Sequence, residues 1–246
     1  MKCILLCAGY ATRLYPLTKN FPKALLEVKT GKSILDYIMD EVNTIDEIDE
    51  VYVITNHVFY NHFKMWVDGK KCGKNIIVID DNTTSNEDRL GAIGDIQYTI
   101  QDQNINDDLM IIAGDNLFDY SLQDVVSYFY EKNAPVVCGK ELFDKQLLKR
   151  LAVASIDDSG KIVNLVEKPE NPEGNVAVYA TYLYPKDVLK EIKQYLNDGN
   201  KPDAPGYFVE YLYQKMPVYV YCFNGNCYDV GTLEALQEVK TLYLKK

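Results

Sequence analysis

The sequence predicts an α/β protein with a doubly wound, mostly parallel sheet, followed by a more antiparallel portion. Two observations predict it. Over residues 1–140, short and continuously apolar runs alternate with longer amphipathic stretches, and parallel strands require crossovers of that kind. Beyond residue 150 the strand-like runs are separated by tight-turn signals, the mark of antiparallel pairing. A chain of 246 residues can bury a sizeable core. The halves 1–140 and 141–246 read as parts of a single domain.

Residues 2–6, 51–55, 76–79, 109–113 and 135–139 are mostly continuous apolar runs, as strands covered on both faces should be. Between them, 33–45, 59–67, 88–101 and 121–130 suit helices. Ser33 and Ser121 are candidate N-caps, each followed three residues later by an aspartate, Asp36 and Asp124. Asp88 reads as the N-cap of its own helix. Strands at 151–156 and 161–166 flank Asp157-Asp158-Ser159-Gly160, a hairpin turn, and a third strand covers 176–184. Helices at 186–196 and 207–214 follow, then a strand at 218–223 and the turn Asn224-Gly225-Asn226. The C-terminal helix is capped by Thr232, with Glu234 in its first turn, where the helix dipole favours an anion. The plan is Rossmann-like: a nucleotide-binding half, then an acceptor-binding half and the C-terminal helix.

Lys and Arg number 26 against 36 Asp and Glu, a net charge of −10. That balance disfavours nucleic-acid and anionic-membrane binding, which call for a basic face. An anionic ligand must therefore be held by local cations, backbone N–H groups or a metal. Six cysteines form no CxxC pair and no zinc spacing. Cys3, Cys7, Cys138 and Cys222 sit in or beside apolar runs and read as core residues of a reducing compartment. No membrane-length apolar stretch and no signal-peptide cleavage site is seen, so a cytoplasmic protein is expected. His57 and His62, the only histidines, are five apart on an expected helix, off the i, i+4 zinc spacing. They read as surface or packing residues.

In doubly wound sheets, ligands sit outside the carboxyl ends of strands, and the first strand–helix loop often receives phosphate. Here that loop is Ala8-Gly9-Tyr10-Ala11-Thr12-Arg13, with Lys23 further along. Small residues let backbone N–H groups approach phosphate oxygens. Arg13 adds a charged fork and Lys23 a point charge. Pro16 and Pro22 stiffen the intervening segment. The loop is neither GxGxxG nor GxxxxGK[ST]. A carboxylate just past a buried strand, Asp115 in Gly114-Asp115-Asn116, is placed to meet a hard cation.

Ala8 to Lys23 resembles the signature of the sugar-phosphate nucleotidyltransferases, through Ala8, Gly9, Thr12, Arg13, Leu14, Pro16, Leu17, Thr18, Pro22 and Lys23. Ala11 stands at a position usually held by glycine, which implies a slightly repositioned loop. Gly114-Asp115-Asn116, Glu167-Lys168-Pro169 and Tyr228-Asp229-Val230-Gly231-Thr232 resemble that family's later blocks, in the same order. The likeness runs along essentially the whole chain and is strongest to short bacterial thymidylyltransferases. It implies Mg²⁺ on Asp115 and Asp229, with Ala8, Gly9, Tyr10, Ala11, Thr12 and Gly91 at the nucleotide. It also implies Glu167, Lys168 and Tyr182 at the acceptor. Arg13, Lys23 and Lys168 would be the catalytic cations, in an in-line attack of a sugar-1-phosphate on the α-phosphorus of a nucleoside triphosphate. By analogy with oligomeric relatives, a homo-oligomer is implied.

Several positions depart from the family pattern. Ala24 replaces a glutamine that contacts a pyrimidine, so the base is left open. Leu151-Ala152 and Tyr179-Ala180 stand where relatives carry glycines, and Pro205-Gly206-Tyr207 lacks a basic residue. These changes fit a different sugar, or a cytidylyltransferase acting on a non-sugar phosphate such as phosphocholine. A catalytically silent nucleotide-sensing subunit is the reading from another class; retention of both aspartates and Lys168 weighs against it.

Overall fold

The computed structural model describes residues 1–70 and 73–243; Cys72 lies outside them. In chain order the strands are β1 (Lys2–Leu6), β2 (Glu27–Lys29), β3 (Lys32–Ser33), β4 (Glu50–Thr55), β5 (Asn75–Asp80), β6 (Leu109–Ala113), β7 (Asn116–Phe118), β8 (Val136–Glu141), β9 (Ala152–Ile156), β10 (Ile162–Glu167), β11 (Val176–Tyr184), β12 (Tyr219–Cys222) and β13 (Cys227–Asp229). The α-helices are α1 (Ile34–Asn43), α2 (Tyr60–Asp68), α3 (Ala92–Asp102), α4 (Leu122–Lys132), α5 (Lys145–Leu148), α6 (Leu189–Asn197), α7 (Pro205–Leu212) and α8 (Leu233–Tyr243). Among the described residues no helix is long and apolar enough to cross a membrane. Two compact units interleave along the chain. Met1–Leu90, Ile112–Leu122 and Gly225–Lys246 form the first; Gly91–Ile111 and Gln123–Asn224 form the second.

The first unit holds the parallel strands expected of residues 1–80. β1 pairs with β4, and β4 with β5, all parallel, with Cys3 opposite Val51 and Val51 opposite Ile76. Helices α1 and α2 make the crossovers. Ile34, Leu35, Ile38, Met39 and Val42 of α1 are buried at helical spacing, and Ile4, Leu5, Ile54, Phe59 and Phe63 are fully buried as well. The start of α1 is fixed by the expected capping box. Ser33 Oγ accepts from the Asp36 N–H at 3.2 Å, and Asp36 Oδ2 accepts from the Ser33 N–H at 2.7 Å.

Asp36 also accepts from Trp66 Nε1 at 2.9 Å and pairs with the Lys70 ammonium, so one carboxylate ties α1 to the end of α2. Burial alone would raise its pKa. The Lys70 ammonium, the Ser33 N–H and hydroxyl, and the Trp66 N–H outweigh that and hold it below its ordinary value. A depressed carboxyl stabilises the fold above its unfolded pKa, about 3.9, and that contribution is lost as pH falls through the folded value. Asp36→Asn is expected to lower unfolding free energy by about 1–2 kcal/mol at pH 7. The gap should narrow progressively as pH falls below about 3.9; urea unfolding showing a gap that does not change with pH would contradict this role.

The second unit is mixed. β9 pairs antiparallel with β10 and with β11, β8 pairs antiparallel with β11, and β12 joins β8 in parallel. The β9–β10 hairpin turns where expected: Gly160, at φ 82°, donates its N–H to Asp157 O at 2.9 Å. Tyr184, Phe208, Tyr195 and Tyr211 meet edge to face at 5.2–5.5 Å between ring centroids. Phe208 and Tyr211 of the aromatic stretch 207–221 therefore pack within the unit, against Tyr184 and Tyr195.

Some expectations are corrected. Asp88 does not cap α3. It accepts from the N–H groups of Thr84 and Ser85 and closes a turn behind itself, while α3 begins after Gly91, at φ 80°. Cys3, Cys7 and Cys138 are buried but Cys222 is exposed; it lies on the same face as buried Val220, but it is the last residue of β12. His57 precedes α2 and lies 2.6 Å from Asp80 Oδ2. His62 packs between the rings of Phe21 and Phe59. Two short ribbons, β2–β3 and β7–β13, were not foreseen, since strands of two or three residues carry no periodicity.

Candidate active site

The loop after β1 is shaped by its own backbone. Ala11 adopts the left-handed conformation, φ 47° and ψ 43°. The alanine therefore takes up a backbone geometry that glycine adopts without strain, at a cost of about 1 kcal/mol. Its carbonyl oxygen accepts from the Leu14 N–H at 3.0 Å and from Thr18 Oγ1 at 2.8 Å, which hold it there. Asn56 Nδ2 donates to Ala8 O at 2.9 Å. Gly9 has open space above it, as backbone capture of a phosphate needs. Tyr10 is buried, and its hydroxyl shares a hydrogen bond with Thr83 Oγ1 at 3.2 Å, so its side chain anchors the loop and only its backbone is free to meet a ligand. Thr12 and Arg13 open a short 3-10 turn and are exposed, while Leu14 of the same turn is buried beneath them.

The cations and carboxylates of the first unit converge. Lys23 Nζ lies 2.7 Å from Asp115 Oδ2 and 3.5 Å from Asp229 Oδ1. The face of Gly231 that a side chain would occupy lies 3.2 Å from Arg13 Nη2 and 3.3 Å from Asp229 Oδ2. Arg13, Lys23, Asp115 and Asp229 thus form one cluster, from positions more than 200 residues apart in the chain. Partial burial and the neighbouring Asp115 charge raise the Asp229 carboxyl, with Lys23 and Arg13 opposing them. Arg13 and Lys23 together balance the two carboxylates, and a bound polyphosphate would engage those cations and leave Asp115 and Asp229 to a divalent cation. Among the described residues no cluster of three or more His, Cys, Asp or Glu could hold a metal alone. A hard cation such as Mg²⁺ commonly takes one or two carboxylates and completes its shell with phosphate and water oxygens, so this pair fits it.

Glu167, Lys168 and Tyr182 are neighbours in the second unit. Lys168 takes a left-handed backbone, φ 50°, and donates its N–H to Leu151 O at 3.1 Å. Its ammonium stands 3.5 Å from Glu167 Oε1 and is half exposed, whereas the Glu167 side chain is almost wholly buried. Burial raises the Glu167 carboxyl, Lys168 pulls it down, and Glu210 adds to the rise. The Glu210 carboxylate accepts from the Glu167 N–H at 3.3 Å. Gly206, on α7, lies so close to Glu167 Oε2 that a side chain there would strike it. Tyr182 is buried, and the Glu167 charge is among the influences that raise its hydroxyl pKa, after burial and Tyr184.

Gly91 belongs to the second unit and has a structural reason to be glycine. A Cβ there would lie 2.7 Å from Pro202 O, and the N–H groups of Ala92 and Ile93 donate to Asp203 O and Pro202 O. Sequence reasoning did not separate Asp80, Asp81 and Asn82 after β5. The structure does: Asp80 pairs with His57, and Asp81 is buried with Oδ1 accepting from the Thr83 N–H at 2.7 Å and Oδ2 without a protein partner. No local pattern could have told these neighbours apart.

A family model described as "Nucleotidyl transferase" matches residues 2–246. The chain is 29% identical over 247 residues to the bifunctional protein GlmU of Methanocaldococcus jannaschii, covering 100% of this chain and 55% of that protein. It is 30% identical over 186 residues to the UTP–glucose-1-phosphate uridylyltransferase AglF of Haloferax volcanii, covering 75% of this chain and 72% of that one. The chain spans little more than half the length of some of the curated relatives it matches. A crystal structure of UDP-glucose pyrophosphorylase with UDP-glucose superposes with a TM-score of 0.81 at 21% identity, over 99% of this chain and 98% of that one.

Proposed function

The chain belongs to the nucleotidyl transferase family, and on that footing we propose that it joins a nucleoside triphosphate to a sugar-1-phosphate, giving a nucleoside-diphosphate sugar and pyrophosphate. One observation carries the reading: Lys23 Nζ sits between Asp115 and Asp229, at 2.7 and 3.5 Å, with Arg13 beside them. The attacking sugar phosphate is already an anion, so no general base is required. The protein's task is to hold the reactants in line and to offset the charge that gathers as two anions meet.

Arg13 offers its guanidinium to the departing pyrophosphate, and Lys23 its ammonium to the triphosphate. The open backbone at Gly9 receives phosphate oxygens. Asp115 and Asp229 would hold Mg²⁺, which when bound polarises phosphoryl oxygens. In the second unit Lys168 takes the acceptor phosphate, Glu167 accepts from acceptor hydroxyls, and Tyr182 contributes an aromatic wall. The test is pyrophosphate release across ATP, CTP, GTP, UTP and dTTP with hexose-1-phosphates and phosphocholine. Turnover with one base and a sugar-1-phosphate is expected. Turnover only with CTP and phosphocholine would replace the acceptor assignment, and none with any pair while nucleotide still binds would favour a sensor.

A further inference from the structure

We propose that Asp119 is a positioning residue for the two-carboxylate site, acting through the β7–β13 ribbon. This rests on the metal role assigned above to Asp115 and Asp229. Those residues lie at one end of the ribbon, where Asp229 is opposite Asn116 and the Val230 N–H donates to Asp115 O at 3.2 Å. The opposite end is closed by Asp119. Its Oδ1 accepts from the Asn226 N–H at 2.5 Å, its Oδ2 accepts from Asn226 Nδ2 at 3.2 Å, and its own N–H donates to Asn226 O at 3.1 Å.

That clasp spans 107 residues of sequence and sets which residue of β13 stands beside which residue of β7. A strand that slips by one residue turns every side chain to the other face. A slip here would carry the Asp229 carboxylate away from Asp115 and Lys23. A ribbon of three residues per strand has few ladder bonds of its own to resist slippage. Gly225 is shaped for the clasp: its φ of 128° suits glycine, and a Cβ there would collide with Asp119 Oδ1. No part of Asp119 has to touch substrate or metal for this role.

The experiment is Mn²⁺ titration of the whole chain by electron paramagnetic resonance and calorimetry, with wild type, Asp115→Asn, Asp119→Ala and Asp119→Asn. Asp119→Ala should weaken Mn²⁺ binding about tenfold, as loss of a supporting contact to a metal site commonly does, while leaving the circular dichroism spectrum unchanged. Asp119→Asn should restore most of it, because the Asn226 amide can rotate to accept from the new NH₂ group. Wild-type Mn²⁺ affinity in folded Asp119→Ala, with Asp115→Asn impaired, overturns the inference. Equal affinity in wild type and Asp115→Asn instead overturns the metal assignment beneath it. If Asp119→Ala does not fold, Gly225→Ala takes its place, since its methyl displaces the same carboxylate, and wild-type affinity there counts equally against the proposal.

Discussion

Asp115→Asn is expected to lower turnover at saturating nucleotide at least about 100-fold, the scale of losing one preorganised electrostatic partner of the transition state, and to remove most of its dependence on Mg²⁺. Asparagine keeps the shape of the side chain and the Val230 N–H bond to the backbone oxygen, so the ribbon should survive. What changes is charge. Lys23 and Arg13 would then face only Asp229, a cluster of net positive charge with little to attract a divalent cation. Thermal unfolding with and without Mn²⁺ separates this from a fault in folding: a ligand bound only by the native state, at free concentration c, raises its stability by RT ln(1 + c/Kd). Wild type should shift upward and the variant should not. Unchanged metal dependence of turnover would defeat the metal assignment.

Arg13→Ala is the second large effect, also at least about 100-fold in turnover. Arg13 is exposed on a short turn whose buried member is Leu14, so its loss removes no core packing. Its guanidinium stands beside Asp229, 3.2 Å from the open face of Gly231, and would meet the charge that grows as pyrophosphate departs. The loss should appear mainly in turnover rather than in KM. Arg13→Lys should recover only part of it, because an ammonium cannot offer a planar two-pronged donor set. Near-wild-type turnover in Arg13→Ala would remove the residue from the reaction.

Much of the fold was legible because the forces that set it are local. The capping box at Ser33 and Asp36, the turn at Gly160, the cap of α8, where Thr232 Oγ1 accepts from the Ala235 N–H at 3.2 Å, and the apolar run of β1 all lie within a few residues of their partners. Asp88 was misread because Asp favours turns and caps alike, and only the left-handed backbone of Gly91 shows where α3 starts. Cys222 was misread because an apolar neighbourhood does not say how far along a strand the neighbouring elements cover it; Val220 on the same face is buried and Cys222 is not.

By itself, then, the chain's order of residues determined much of the layering of strands and helices and which cations and carboxylates were candidates for a phosphate site, since periodicity and residue chemistry are properties of short stretches. Only the tertiary structure decided that Lys23, Asp115 and Asp229 share one spot, that Asp119 fastens the ribbon holding two of them, and that Asp81 rather than its neighbours is sealed in with a free oxygen. Those facts depend on pairings between segments distant in sequence, 107 residues apart for Asp119 and Asn226, and no local pattern encodes which distant segment a strand of three residues will meet.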